Sequence, residues 1–474
     1  MTRRFTFSSG PLFLVLVVSA LLLALAPLAT AAPAPWPQMW ASPFVTDAAK
    51  EFRFLTAGPA GSAYAVGSYM RSAPGESTMV LARLAAGDGT LRWPATVVSQ
   101  GPGGTGAVPL DVATHRTSQD LIVAGVSHQS VDPDAYVGRF AATDGHVVWQ
   151  KSWNGAAREG DQASAVAVDS NGNVYAVGAS DTAGAWGNGM VLKYSKTGAL
   201  KWKYVLASTR DDGLWDCAVD SSGNLYATGE YASNWSTTGS LVTIKVSPAG
   251  RLLWRRTIAA SGVSCCGWFL RVRGTSVYVG GTRDGATSRT IIARYTSSGT
   301  LKWKRTSSRA VTNFAGMTVD GKGRLVTVGD FEAAPPALPV DGGWVEVWSP
   351  TTTLAGPVWK TTFTHVGATA EVYDASLSAV TVDSTGRIYC AGSWDTLPGG
   401  GGTDAVVVSY APSGSSAWSG PDRSWTHDDP LHAADSYFGL LRMSDAEIYA
   451  CGYESGATGW RGLVERPQTT GFVP

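Results

Sequence analysis

From about residue 50 to the C-terminus, short runs of alternating apolar and polar residues are separated by Gly, Asn, Asp and Ser. Alternation with a period of two places one face of each run in a core, which predicts β-strands joined by turns. One unit recurs throughout. Its clearest copies are Ala165-Val166-Ala167-Val168-Asp169-Ser170-Asn171-Gly172-Asn173-Val174-Tyr175-Ala176-Val177-Gly178 and the matching run from Cys217 to Gly229. The closing glycine falls at Gly67, Gly125, Gly178, Gly229, Gly281, Gly329, Gly392 and Gly452, which makes eight copies at intervals of 48 to 63 residues. A repeat of this size built from strands means a propeller or a solenoid.

In the third copy the pattern predicts strand A near Ala165 to Val168, strand B near Val174 to Ala179, strand C near Met190 to Tyr194 and strand D near Leu200 to Leu206. The A–B and C–D connections are tight and carry Gly or Asn for positive φ, whereas B–C and D–A are longer and vary. Antiparallel alternation then puts both tight turns on one face of a disc and both long connections on the other. Strand D carries a tryptophan at Trp93, Trp149, Trp202, Trp254, Trp303, Trp359 and either Trp418 or Trp425, a spacing that reads as packing between blades. The eighth copy ends without its strand D, and Pro35-Trp36-Pro37-Gln38-Met39-Trp40 precedes the first strand A. The expectation is an all-β propeller of eight four-stranded blades, closed by Trp36 to Phe44 against the strand near Gly462 to Glu465, with seven blades as the alternative.

Arg3 and Arg4, an apolar run from Pro11 to about Ala26 and the small residues Ala29-Thr30-Ala31 have the form of a secretory signal. Residues 1–31 are therefore expected to be removed, leaving 32–474 as one monomeric domain that is secreted or held in the cell envelope, with no membrane attachment after cleavage; an uncleaved anchor is the alternative that the length of the apolar run allows. The 37 basic and 37 acidic side chains cancel, which argues against nucleic acid as a partner. Five cysteines are too few for a disulfide framework, and Cys390 and Cys451, one register position apart in strand B of adjacent blades, are expected to be buried thiols rather than a bridge.

The Ala-Val-Asp-Ser-x-Gly-Asn-x-Tyr-x-x-Gly core, followed by Lys-Tyr and Gly-x-Leu-x-Trp, resembles the bacterial secreted β-propeller repeat called SBBP. Lys196-Thr197-Gly198-Ala199-Leu200-Lys201-Trp202 and Thr143-Asp144-Gly145-His146-Val147-Val148-Trp149 are also similar to the tryptophan-docking repeats of quinoprotein propellers. The resemblance covers nearly all of 32–474. It implies either a non-enzymatic binding or assembly scaffold, or a quinone-dependent oxidoreductase using pyrroloquinoline quinone (PQQ) and calcium, whose hallmark of adjacent cysteines is echoed by Cys265-Cys266 in a D–A connection before Trp268. No legible set of calcium ligands accompanies that pair.

The expected reading is therefore a scaffold without cofactor, binding a protein or carbohydrate partner on the long-loop face. Acidic residues that recur before strand A (Asp161, Asp212, Asp374, Asp435) or in the A–B turn (Asp169, Asp220, Asp320, Asp383) are expected to serve the turns, since functional residues should break the repeat. The residues that break it on the long-loop face are Trp186, Trp235 and Trp394 in B–C loops, with Arg210, Asp211 and Asp212 in a D–A loop; exposed aromatics beside polar groups suit sugar rings or peptide segments. His427, Asp428, Asp429 and His432 are a weak metal candidate, because Pro430 makes their loop irregular and the spacing is not that of a helical zinc motif.

Overall fold

A computed structural model describes residues 50–70, 77–85, 90–93, 97–99, 106–129, 132–155, 160–182, 185–208, 210–233, 238–259, 262–332, 341–351, 356–363, 365–366, 372–395, 403–411, 423–427, 435–444, 447–456 and 459–465. They form a β-propeller. Among the described residues, seven four-stranded antiparallel sheets in the order A-B-C-D and a last, three-stranded sheet in the order A-B-C follow one another along the chain, with a small two-stranded sheet, His365–Val366 and Val372–Tyr373, between the sixth and the seventh. The inner strands A are Lys50–Ala57, Gly106–Thr114, Asp161–Val168, Asp211–Val219, Ser264–Arg273, Asn313–Val319, Ala375–Val382 and Ser436–Ser444, in blades 1 to 8.

Each strand A packs on that of the next blade, and Lys50–Ala57 packs on all three strands of blade 8, which closes the ring. Phe52, Val80, Leu84, Cys451 and Val464 form the core of that closing contact. Four strands per blade thus hold for seven units, while blade 8 has three, Ser436–Ser444, Glu447–Gly456 and Gly459–Glu465. The expected fourth strand, Trp36 to Phe44, lies outside the described residues, as does the signal segment.

The repeat residues act as expected from their chemistry. Asp169 accepts the backbone N–H groups of Asn171 and Asn173 at 2.9 and 2.8 Å, and Tyr175 reaches the next blade by donating to the Gly223 carbonyl at 3.0 Å. Asp220, Asp320 and Asp383 cap their own turns in the same way. The strand D tryptophans bridge blades: Trp93, Trp149, Trp202, Trp254 and Trp303 donate Nε1–H to carbonyls of Ala142, Lys196, Pro248, Ser297 and Pro350, each in the C–D turn of the following blade. The indoles lie over turn glycines such as Gly198 and Gly250, at φ of +82° and +84°, where a Cβ would sit 2.9 and 2.8 Å from the ring. Blade 7 departs from this register. Trp425 pairs with Val407, whereas Arg423 pairs with Ser409, the position that faces the docking tryptophan elsewhere.

All eight closing glycines share one constraint. A Cβ on Gly67, Gly125, Gly178, Gly229, Gly281, Gly329, Gly392 or Gly452 would lie 1.7 to 2.1 Å from a carbonyl oxygen of the adjoining strand A. Glycine alone permits that approach. The Gly229→Ala variant is therefore expected to lose about 3 kcal/mol of stability in denaturant titration, because backbone rather than a flexible side chain would have to yield.

None of the five cysteines is disulfide-bonded, and all are buried. Cys390 and Cys451 lie in strand B of blades 7 and 8, wholly enclosed, and burial raises both thiols well above their ordinary value. Thiol labelling of unreduced protein should accordingly count no reactive groups in the native state and five after denaturation, with no recovered peptide joining Cys390 to Cys451.

Candidate functional site

Immediately after the residue facing each closing glycine, every strand A carries one extra residue, a β-bulge. The eight bulge residues are Arg53, Leu110, Ser164, Trp215, Trp268, Ala315, Ser378 and Phe438. A bulge residue has no partner across the ladder, so its side chain is released from the blade. Burial follows that geometry: the residues just before them, Phe52, Pro109, Ala163, Leu214, Gly267, Phe314, Leu377 and Tyr437, are all buried, whereas all eight bulge residues reach solvent. Since the strands A form the inner ring, this layer lines the axial opening.

Bulge residues of neighbouring blades touch. Trp215 and Trp268 stack with centroids 6.1 Å apart and planes at 26°, and the Arg53 guanidinium lies 5.2 Å above the Phe438 ring. Trp268 is 37% exposed, high for so large an apolar side chain, and its Nε1–H donates to Thr282 Oγ1 at 3.0 Å, which in turn donates to Asp284 at 3.1 Å. Arg53 donates to both carboxylate oxygens of Glu51, at 2.5 and 3.1 Å. Phe438 also packs 5.5 Å from Tyr453.

One residue beyond the bulge, Asp111 and Asp216 each accept a backbone N–H from the next blade, of Val166 at 2.8 Å and of Leu270 at 2.7 Å. Arg271 pairs with Asp216 at 2.8 Å. Burial pushes Asp111 up to about 7, opposed by the Val166 N–H and reinforced by the Asp216 charge, and burial raises Asp216 as well. The folded state thus holds the Asp111 proton more tightly than the unfolded chain, so stability falls as pH rises from about 4 through 7. Asp111→Asn keeps an acceptor for Val166 without the buried charge. It should be more stable than the parent at pH 8 by on the order of 2 kcal/mol, a gap that narrows steadily below pH 7 and closes only below about pH 4 in thermal or denaturant unfolding.

The residues singled out from sequence are scattered by comparison. Trp186 lies in strand C (Ala185–Tyr194) and Trp394 in strand B (Ile388–Asp395), not in B–C loops, and Trp394 is buried against Phe363 with rings stacked at 5.5 Å. Arg210 donates to Thr238 Oγ1 at 2.8 Å, Asp211 accepts from the Gly187 N–H at 3.1 Å, and buried Asp212 accepts from the Ala232 N–H at 2.8 Å, so the three tie a D–A corner to the neighbouring connections. Asp161 and Asp374 do the same at their corners, accepting the N–H of Gly155 and of Asp341.

Trp235, Asp428, Asp429 and His432 lie outside the described residues, and His427 ends strand D of blade 7. Cys265 and Cys266 belong to strand A of blade 5 rather than to a connection. Both are buried, with Cys265 in the core between blades 4 and 5. A bulge leaves no mark in a strand pattern, so the ring is not legible from the alternation of residues alone. Its signal was a position five residues before the turn aspartate whose identity changes from copy to copy, Ser164, Trp215, Ala315 and Ser378 before Asp169, Asp220, Asp320 and Asp383.

No protein-family model and no curated protein matches the chain. Solved propellers resemble it in fold. Chaetomium thermophilum Sqt1 bound to the N-terminus of ribosomal protein L10 superposes with a TM-score of 0.54 at 13% identity, over 88% of this chain and 97% of that one. The Dos1 propeller gives 0.50 at 10% identity, over 88% and 93%, and BamB from Moraxella catarrhalis 0.46 at 12%, over 89% and 100%. The Sqt1 and Dos1 likenesses establish the β-propeller class and nothing narrower.

Proposed function

We propose that this chain is an exported, non-enzymatic binding or scaffold propeller whose partner, a protein or a glycan, is taken up at the axial opening from the long-loop side. The observation that carries this reading is a division of labour within the repeat. Recurring polar residues are occupied by turns, corners and inter-blade bonds, while side chains that change from blade to blade collect on the solvent-facing bulge ring. A framework held constant beneath a variable inner surface is the arrangement of a binding module. The peptide held by the Sqt1 propeller supports the same use of the fold.

Affinity capture tests it. Residues 32–474 immobilised and exposed to culture medium and envelope extract should retain a defined partner, and a Trp215→Ala, Trp268→Ala variant that still folds should retain at least tenfold less. Partner retention indifferent to those substitutions would sink the axial reading. Dye-linked alcohol oxidation on addition of PQQ and calcium, lost in a Cys265→Ala, Cys266→Ala variant, would sink the non-enzymatic one.

A further inference from the structure

The bulge ring is not uniform, and its asymmetry has a direction. In a ring of eight, the boundary between blades 4 and 5 lies opposite that between blades 8 and 1. Trp215 and Trp268 occupy the first and Arg53 and Phe438 the second, each pair in mutual contact. The two remaining quadrants carry the shorter side chains Leu110 and Ser164 on one side, Ala315 and Ser378 on the other. Large groups on one diameter and small ones on the other make the opening a slot, with aromatic rings on its two long walls.

The chemistry of those walls selects among ligands. The Nε1–H of Trp268 is already donated to Thr282, so its exposed surface offers a ring face and no donor. A ring face stacks on planar or C–H-rich surfaces. Beside it stands the Asp284 carboxylate, held by Thr282, and on the facing wall the Arg53 guanidinium, held by Glu51; both groups are suited to hydroxyls. The cations at this layer come paired with carboxylates, Arg53 with Glu51 and Arg271 with Asp216, and Asp284 adds a further negative charge. Such a surface repels polyanions.

Resting on the binding function proposed above, we infer that the slot is a carbohydrate site, binding a neutral glycan by stacking a pyranose ring on Trp268, with Phe438 on the facing wall and hydroxyls hydrogen-bonded to Asp284 and Arg53. Trp215 positions the Trp268 ring by stacking behind it, and is itself seated over Gly213, where a Cβ would come 2.5 Å from the indole. The site is one of binding, with no bond made or broken.

Residues 32–474 are titrated by calorimetry and tryptophan fluorescence with cellohexaose, maltohexaose, mannohexaose and chitohexaose, with hexagalacturonate as the anionic counterpart. At least one neutral hexasaccharide should bind and perturb the fluorescence. Trp268→Ala should weaken it at least tenfold, and Trp268→Phe, which keeps a ring face, should stay within about threefold of the parent; circular dichroism and unfolding midpoints report that both variants fold. Binding unchanged in Trp268→Ala, hexagalacturonate binding as tightly as the neutral sugars, or no binding by any neutral hexasaccharide overturns the proposal. A random decapeptide phage library panned in parallel separates the two levels. Peptides that need Trp268, without sugar binding, refute the glycan and leave the binding function standing, whereas failure of every sugar and every peptide refutes the glycan and removes the support for that function as well.

Discussion

The close approach of strand A to the closing glycine of strand B is the constraint on which the rest of this propeller depends. In each blade a carbonyl of the inner strand occupies the space a Cβ would need, and the inner strand bulges at the next residue. The bulge increases the local twist and shifts the side-chain alternation of strand A by one. Residues before it pack into the blade, the bulge residue leaves it, and the following segment resumes pairing down to the A–B turn. One missing methyl group, repeated eight times, thus separates the apolar interior from the surface that faces the axis.

Cohesion between blades comes from two layers at different radii. Toward the outside, in blades 1 to 5 the tryptophan of strand D hydrogen-bonds to the C–D turn of the next blade and so couples each of these blades to its successor. Toward the inside, Tyr175 and Tyr278 donate to the A–B turns of the following blades, while Asp111 and Asp216 bind the neighbouring strand A. The inner layer includes carboxylates whose burial is unfavourable when charged, offset by the backbone donors they receive. The tension between satisfying a strand's N–H and burying a charge is confined to the ring around the axis. There the repeat is least regular and the side chains are most varied.

A rigid, many-bladed frame also explains how a binding surface can diversify without loss of the fold. The bulge residue contributes little to the blade core, so Trp, Ser, Ala, Leu, Phe and Arg all occupy equivalent positions. Stability is carried by the closing glycine, present in all eight units, by the tyrosine and tryptophan that recur in most of them, and by a turn aspartate in four. Adjacent large residues then pair with each other, as Trp215 does with Trp268, and give a preformed surface that need not be ordered at the moment of binding.

The sequence by itself determined the class of fold, the number of repeat units, the order of strands within a blade and the roles of the turn aspartates and docking tryptophans, because each of these depends on local chemistry or on a period visible along the chain. Trp202 and Gly198 lie in one short run, and their counterparts recur in the other blades. It also indicated that Cys390 and Cys451 stay apart, since facing sheets pack about 10 Å apart and a disulfide needs its Cα atoms within about 7 Å. Tertiary structure decided the rest. Trp394 read as a loop aromatic because the end of strand B carries no marker, and only the packing of Phe363 shows it to be enclosed. Trp215 and Trp268 are 53 residues apart and read as ordinary strand residues, one in each of two inner strands. What brings them together on the axis is a bulge, and a bulge is a displacement between two strands: it belongs to the register of a pair, which neither strand's own sequence can express.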